Sequence, residues 1–270
     1  MKLLDKFRIA LKYNVERYCK MFKYYFLLQQ LVAKEFKLKY RGSILGILWS
    51  VLNPLLNMLV LSIVFGQVFS AVDNYKLYLL SGIIMFSFFA EATASGTCAI
   101  TYNFGLINKI AFPKIVLPLS KVSLSFINFI MSFIVFLILG SFIGLEFWAG
   151  DFALILPIIL LLMFTIGFSL ILSVVNVYFR DTQHLFSVIL TIWMYATPIL
   201  YPLKLIPEEW QLLFSNNPMY LFIDMFRTIS MNNMMPEVSS ILMCFGWAFG
   251  MLIAGIVFFK LNEEKFIFYT

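Results

Sequence analysis

The stretch FALILPIILLLMFTIGFSLILSVVNV, residues 152–177, is the part of the chain that decides the fold. None of its 26 residues is Asp, Glu, Lys, Arg or His. An α-helix rises about 1.5 Å per residue, so about 20 apolar residues cross the hydrocarbon core of a bilayer. The stretch therefore predicts a transmembrane helix.

Five further segments are apolar over a similar length and predict spans at 44–68, 77–98, 116–143, 185–200 and 238–259. The segment 185–200 is the shortest, and its end runs into Thr197-Pro198 and Tyr201-Pro202, where proline disfavours a continuous helix. We predict an all-α integral membrane protein with six transmembrane helices. Residues 1–43 would form a basic cytoplasmic arm, and residues 44–270 the transmembrane domain.

Composition excludes the main alternatives to a membrane protein. The chain is 62% apolar and 13% charged, whereas soluble domains are about half apolar and a quarter charged. A disordered chain is excluded by the 31 Phe residues and the long aliphatic runs. Three scattered cysteines and one histidine predict neither a disulfide framework nor a metal site.

Positive charge orients the predicted spans. Residues 1–43 hold eleven Lys and Arg against three acids. If the N-terminus is cytoplasmic, 17 of the 20 basic residues fall on the inner side, as the positive-inside rule requires. We therefore expect a multi-pass protein of the cytoplasmic membrane with both termini in the cytoplasm.

The last part of the arm, residues 24–41, has an amphipathic helical pattern. A basic amphipathic helix next to a span is typical of the cytoplasmic membrane interface, although packing against a soluble partner fits the same pattern. The apolar face would contain Leu27, Leu28, Leu31, Val32, Phe36 and Leu38, and the polar face Gln29, Gln30, Lys34, Lys37 and Arg41, with Glu35 and Lys39 as exceptions.

On the outer side, the link 201–237 is long and semi-apolar. It is interrupted by Asn216-Asn217-Pro218, so it is too short to cross the membrane twice. We expect external re-entrant or interfacial helices packed against protein, because irregular backbone does not face lipid.

Catalytic and nucleotide-binding motifs are absent from the sequence. There is no G-x-x-x-x-G-K-[ST], H-E-x-x-H, G-x-S-x-G or C-x-x-C. The single histidine, His184, is interpreted as a residue of a structural turn. No catalytic residue is predicted, and the chain is not expected to be an enzyme.

Polar residues inside the spans have two interpretations. Glu91 is the only acid within a predicted span, where a lone acid costs about 2.5 kcal/mol or more. It either lines a transport path or makes a buried helix contact. Asn53, Pro54 and Asn57 fit either a kinked helix or the wall of such a path. Trp193, Tyr195 and Tyr201 are either interfacial anchors or surfaces on which sugar rings stack.

The loop between the second and third spans, residues 102–114, is apolar for a cytoplasmic loop. Exposed apolar residues there favour a protein partner, while an embedded extension of the helix is the alternative. The apolar residues are Leu106, Ile107, Ile110 and Phe112, and Lys109 and Lys114 are expected to pair with acids of that partner.

Several short strings, in this order and on this topology, carry a family resemblance. They are residues 35–49 (EFKLKYRGSILGILW), Asn53-Pro54-Leu55, residues 108–113 (NKIAFP), residues 176–181 (NVYFRD), residues 197–202 (TPILYP) and residues 217–220 (NPMY). The chain resembles, over nearly its whole length, the membrane permease subunit of ATP-binding-cassette exporters for cell-surface polysaccharides, including O-antigen, capsule and teichoic-acid exporters.

This resemblance implies a homodimer that binds two copies of a separate ATPase subunit. ATP and Mg would be held by that partner, with no cofactor or metal on this chain. A lipid-linked glycan or teichoic-type polymer would pass between the protomers, and no nucleic acid is involved. The implied site residues are Leu106, Ile107, Asn108, Lys109, Ile110, Phe112 and Pro113 in the ATPase-coupling loop, Lys34, Lys37, Lys39 and Arg41 in an interfacial gate helix, and Trp49, Asn53, Asn57, Glu91, Trp193, Tyr195 and Tyr201 along the translocation path.

Three other functions remain open from the residues alone. An intramembrane lipid or glycan transferase needs clustered catalytic groups at one membrane face, and only Glu208 and Glu209 lie together outside. A secondary transporter or conductance favours a charged midplane site within repeated halves, and the halves do not visibly repeat. The third is an exporter of a different amphipathic substrate.

Overall fold

The computed structural model describes residues 24–70, 72–143, 145 and 149–269, and these residues are mainly helical with no β-strand among them. The predicted all-α fold is confirmed. The helices are α1 over 24–40, α2 (Leu48–Phe65), α3 (Tyr75–Thr97), α4 (Phe104–Ile107), α5 (Val116–Ile143), α6 (Ile155–Tyr178), α7 (Thr182–Tyr195), α8 (Glu208–Ser215), α9 (Pro218–Ser230) and α10 (Val238–Asn262). The first 23 residues, with seven of the basic residues of the predicted arm, lie outside the described part of the chain.

Among the described residues, five helices are long and apolar enough to cross a membrane. They are α2, α3, α5, α6 with the turn that precedes it (Asp151–Tyr178), and α10 with its extension to Phe266. These five correspond to the predicted spans at 44–68, 77–98, 116–143, 152–177 and 238–259. Helix α7 occupies the predicted span 185–200 but has only 14 residues, about 21 Å at 1.5 Å per residue. The count of six spans therefore stays a prediction.

Helix α7 ends before Thr197 and Pro198, and this end is held by Asn217. Asn217 donates from Nδ2 to Thr197 Oγ1 at 2.9 Å and accepts at Oδ1 from Trp193 Nε1 at 3.0 Å. The same oxygen accepts the backbone N–H of Met219 at 3.1 Å, which caps the first turn of α9. Asparagine is a preferred N-cap residue, and proline at N1 has no N–H to leave unpaired. One side chain thus joins the end of α7 to the start of α9.

The link predicted to hold external helices contains α8 and α9, of 8 and 13 residues. Both are too short to cross a bilayer alone. Helix α9 packs into the main core through Met219, Phe222, Ile223, Phe226 and Ile229, each fully buried. Helix α9 is therefore packed against protein, whereas α8 has no buried residue, and the re-entrant or interfacial placement of this link stays a prediction.

Helix α3 lies at the centre of the bundle and packs against α2, α5, α6, α7 and α9. Its start and its end define the two ends of the molecule. At its start, Tyr75 donates its hydroxyl to the carbonyl of Leu200 at 2.8 Å, which places Lys204 and the 201–207 turn at this end. Its last turn leads into the loop 102–114 with Lys109. We call these the Lys204 end and the Lys109 end.

Helices α6 and α10 form the most extensive helix pair, because two glycines let their backbones touch. A Cβ at Gly255 would lie 2.7 Å from Gly167 Cα and 2.8 Å from its carbonyl carbon. A Cβ at Gly167 would lie 2.6 Å from the backbone nitrogen of Leu252. Small residues permit such close approach in membranes, so these glycines set the distance between the two helices.

Candidate functional site

A polar cleft with a volume of about 190 Å³ opens between α1, α2, α3 and α5. Four of the seven predicted path residues, Trp49, Asn53, Asn57 and Glu91, lie in its wall. The remaining lining residues are Lys39, Tyr40, Ser50, Pro54, Ile84, Ser87, Phe88, Ser125, Asn128, Phe129 and Ser132. The structure thus brings together residues from four helices that are far apart in the sequence.

Helical periodicity explains why each helix offers several polar groups to this cleft. Residues three, four or seven positions apart share one helix face. Helix α3 presents Ser87 and Glu91, and α5 presents Ser125, Asn128 and Ser132. The polar face of each span therefore points into the cleft rather than toward lipid.

The proline of α2 makes a specific link to α5. Pro54 has no N–H, so the carbonyl of Ser50, four residues earlier, loses its helical partner. Ser132 Oγ donates to this carbonyl at 3.0 Å. Proline thus interrupts the helix ladder, and the same segment lines the cleft. A role of this segment as the wall of a transport path stays a prediction.

Glu91 is the centre of a polar network on one side of the cleft. Its Oε1 accepts from Lys39 Nζ at 2.7 Å, from Asn128 Nδ2 at 2.9 Å and from Ser125 Oγ at 3.1 Å. Asn128 in turn accepts the hydroxyl of Tyr40 at 2.8 Å. The Glu91 and Lys39 side chains are 39% and 37% exposed. Glu91 therefore makes helix contacts and also faces the open cleft.

The other three predicted path residues lie away from the cleft. Trp193 is half-buried, packs on Phe89 and Phe168 with ring centroids 5.1 and 5.6 Å apart, and is held by Asn217. Tyr201 donates its hydroxyl to the carbonyl of Tyr195 at 2.8 Å. The structure does not bring these aromatic residues together with Glu91, and a role for them in the path stays a prediction.

Helix α1, the predicted gate helix, lies against the bundle. Leu31 is 6% exposed and belongs to one apolar cluster with Ile107 and Val116. Glu35 Oε2 lies 2.5 Å from Lys121 Nζ, and both side chains are 15% exposed. Glu35 and Lys39 are the two exceptions to the amphipathic pattern of α1. They form ion pairs with Lys121 of α5 and Glu91 of α3.

The remaining residues of α1 follow the predicted pattern with one correction. Lys34, Lys37 and Arg41 are exposed, as expected for a solvated or headgroup-facing side. Leu38 was expected on the apolar face but is 53% exposed. The helix ends at residue 40, so its last turn extends beyond the apolar cluster that covers Leu31.

In the loop 102–114, three of the four apolar residues that were expected to be exposed are buried or half-buried. Ile110 is 56% exposed, but Ile107 is 8% exposed and lies in the apolar cluster with Leu31. Leu106 and Phe112 are half-buried against the same cluster. The short helix α4 turns Leu106 and Ile107 inward, and the exposed stretch of the loop after α4 is Asn108 to Ala111.

Lys114 was expected to pair with acids of a partner protein, but in the structure its side chain is bound within the chain. Its Nζ donates to the carbonyl oxygen of Glu263 at 2.6 Å and lies 5.7 Å from the ring centroid of Phe266. This contact joins the loop to the C-terminal extension of α10. Lys109 is the lysine of this loop that remains exposed.

Sequence reasoning missed the role of Arg227, which it counted only as an external charge. Arg227 is 5% exposed and lies 3.4 Å from the ring centroid of Tyr78. Its guanidinium donates to the carbonyls of Pro198, Ile199 and Tyr78 at 2.9–3.1 Å and to Ser81 Oγ at 3.2 Å. The available signal was an arginine in a mainly apolar helix that also holds one acid, Asp224. Arg227 connects α9 to α3 and to the turn after α7.

Asp224 lies one turn before Arg227 on α9, which is not one of the five candidate spans. Burial raises the pKa of Asp224 above its ordinary value, while the hydrogen bond from Tyr220 and the nearby Arg227 act in the opposite direction. Tyr220 donates to Asp224 Oδ1 at 3.2 Å. This acid is therefore satisfied within its own helix and lies outside the cleft.

Comparison with known proteins gives one family and several relatives. The sequence pattern of the family described as ABC-2 type transporter matches residues 26–231. The O-antigen export system permease protein RfbA of Myxococcus xanthus is 34% identical over 91% of this chain and 96% of its own length. A protein of the same name from Klebsiella pneumoniae is 31% identical over 89% of this chain and 93% of its own. The polysialic acid transport protein KpsM of Escherichia coli is 24% identical over 88% of this chain and 94% of its own.

Proposed function

Because the chain belongs to the ABC-2 type transporter membrane family, we propose that it is the permease subunit of an ATP-driven exporter of cell-surface polysaccharide. The substrate is a lipid-linked glycan or a teichoic-type polymer, and it crosses the cytoplasmic membrane. The relatives named for O-antigen export cover almost the whole chain and support this function.

The observation that carries the proposal is the polar cleft lined by Trp49, Asn53, Asn57 and Glu91. Spans that face only lipid or an apolar core need no such groups, and polar residues inside a membrane are expensive unless they serve a path or a contact. Amides, hydroxyls and aromatic faces are the groups that sugars bind. The cleft is therefore assigned to the path of the glycan.

ATP hydrolysis is assigned to a separate ATPase chain, because this sequence contains no P-loop. Two ATPase copies would bind a homodimer of the permease, each through the exposed part of loop 102–114. Asn108, Lys109 and Ile110 are exposed there, and a partner of that surface has both an apolar and a charged group to contact. ATP and Mg remain on the partner.

Orientation follows from the charges at the two ends. Lys109, Arg180, Lys260 and Lys265 lie at the Lys109 end, which by the positive-inside rule is cytoplasmic. Both termini are then cytoplasmic. Lys34, Lys37 and Arg41 of α1 lie exposed near that surface and would attract the phosphate of a lipid-linked substrate.

Packing suggests how the ATPase would act on the cleft. Ile107 of the loop and Leu31 of α1 share one apolar cluster, and well-packed interiors transmit small displacements. Further along α1, Lys39 pairs with Glu91 of α3 at 2.7 Å in the wall of the cleft. A shift of the loop on ATP binding would therefore move α1 and change the width of the cleft. For transport to be coupled to ATP hydrolysis, the glycan must bind the wide and the narrow state of the cleft with different affinities.

The test uses the permease co-expressed and purified with an ATP-binding-cassette ATPase from the same genome. The variant K109E/I110E places two acids on the exposed part of the loop. The control K204E/L205E makes the same changes at the opposite end, where both residues are also exposed. We expect the first variant to reduce co-purification of the ATPase at least tenfold and the control to leave it unchanged.

A second measurement separates binding from transport. In proteoliposomes, lipid-linked glycan extracted from the source cells should stimulate ATP hydrolysis by the wild-type complex. Unchanged ATPase recovery with K109E/I110E would refute the docking assignment. Absence of any stimulation by the glycan would refute the exporter assignment.

A further inference from the structure

The formal charges in the wall of the cleft cancel each other. Among its lining residues, Lys39 and Glu91 are the two with a formal charge, and they form one ion pair at 2.7 Å. All other polar groups in the wall are amides, hydroxyls or an indole. The wall as a whole is therefore neutral and rich in hydrogen-bonding groups.

The cation of this pair is already engaged, whereas the anion is only partly engaged. Lys39 Nζ and the two neutral donors, Asn128 Nδ2 and Ser125 Oγ, all bond to Oε1 of Glu91. Among the described residues, Oε2 of Glu91 accepts no hydrogen bond. A carboxylate oxygen without a partner accepts readily from a hydroxyl. The same oxygen repels a second carboxylate or phosphate.

Other groups of the cleft are also free to bind hydroxyls. The side chains of Asn53, Asn57 and Ser87 are exposed, and within the described residues they make no hydrogen bond to protein. An amide offers two donors and one acceptor oxygen, which suits a ring bearing several hydroxyls. Trp49 is 50% exposed at the same wall and presents an aromatic face. Binding sites for small ligands typically combine an aromatic surface with a few polar groups that fix the orientation of the ligand.

We propose that this cleft is a subsite for one uncharged sugar residue, and that Glu91 excludes sugars that carry a carboxylate or phosphate. The inference rests on the proposed export function and specifies its substrate class as a neutral glycan. A polyanionic glycan would meet an open carboxylate oxygen in the wall and a lysine that is already paired. The hydroxyls of a neutral sugar would find both hydrogen-bond donors and acceptors in the wall of the cleft.

The first test identifies the charge of the polymer exported by this chain. Cell-surface glycan is compared between the source strain and a strain in which this gene is deleted. The glycan that disappears should be composed of neutral sugars and should not migrate as an anion in electrophoresis. Loss of an acidic polymer would overturn the subsite assignment and leave the export function standing. An unchanged surface glycan would instead refute the export function.

The second test assigns the selectivity to Glu91. The probe is a short fragment of that surface polymer, used as purified and after oxidation of its primary hydroxyls to carboxylates. Binding is followed by quenching of tryptophan fluorescence in the detergent-solubilised permease, with Trp49→Phe as the control for the signal. Wild type should bind the neutral fragment at least tenfold more tightly than the oxidised one. Equal binding of the two fragments, or no binding of either, would overturn the proposal.

Matched variants show whether the charge of Glu91 is the cause. Glu91→Gln keeps the shape and one acceptor oxygen but removes the charge, and it should reduce the preference to within about threefold. Lys39→Ala leaves the carboxylate unpaired and should increase the preference. Glu209→Gln removes an exposed charge outside the cleft and should change nothing. A preference that survives Glu91→Gln unchanged would assign the selectivity to another group.

Discussion

Replacing Gly255 by alanine should destabilise the bundle, although alanine is the better helix former. A Cβ at this position would lie 2.7 Å from Gly167 Cα and 2.8 Å from its carbonyl carbon. Carbon atoms in contact prefer about 3.5–4.0 Å, so α6 and α10 would have to separate by about 1 Å. Both opposing atoms are backbone, which cannot rotate away as a side chain can.

The expected magnitude follows from two opposing effects. Overpacking a tight contact costs about 1–3 kcal/mol, and a backbone-to-backbone clash belongs at the upper end. Glycine to alanine in a helix returns up to about 1 kcal/mol. The net loss is then about 2 kcal/mol, and for a protein of this size each kcal/mol shifts Tm by about 2–4 °C. We expect Gly255→Ala to lower Tm by about 4–8 °C.

The same helix supplies the control. Gly246 and Gly250 also lie in α10, and a Cβ at either would meet no atom within 4 Å. Gly246→Ala and Gly250→Ala should leave Tm unchanged or raise it slightly. Tm is measured on purified protein in detergent by loss of the monodisperse size-exclusion peak on heating. A Tm for Gly255→Ala equal to the wild-type value, or above it, would refute the packing argument.

Two other contacts give predictions that use the same assay. Ser132→Val should lower the free energy of unfolding by about 1–3 kcal/mol, because it leaves the Ser50 carbonyl without a donor. The control is Ser141→Val, which breaks only a hydrogen bond within its own exposed helix turn. It should have little effect on stability. Arg227→Lys should also destabilise the protein measurably, since an ammonium cannot reproduce the fork that holds three carbonyls. Arg180→Lys, at an exposed position, should leave Tm unchanged, and equal Tm values for the two Arg variants would contradict this reading of Arg227.

Much of the candidate site was predictable because helical periodicity is local. The Asn53–Asn57 spacing of four residues places both amides on one face of a helix whatever surrounds it. An acid such as Glu91 within an apolar span must find a polar environment. Both asparagines of α2 and this acid were interpreted as helix contacts or as the lining of a path, and the structure brings them to one cleft.

The errors have a common physical origin. Ile107 was expected to be exposed because the loop 102–114 connects two spans, but α4 turns it into the apolar cluster around Leu31. Trp193 was grouped with Glu91, but contacts with Asn217 and Phe89 hold it outside the cleft, and its role in the path stays a prediction. Exposure of a loop residue or an aromatic ring depends on neighbours that composition does not specify.

The sequence by itself determined the class of the protein and the placement of its long helices. Hydrophobic length, proline positions and charge asymmetry are properties of continuous stretches, and a bilayer imposes the same length on every span. Only the tertiary structure decided which polar groups meet. Glu91 pairs with Lys39 from 52 positions away and with Asn128 from 37 positions away. Such contacts form because packing of α1, α3 and α5 brings their polar faces together, and that packing depends on side chains distributed over the whole chain.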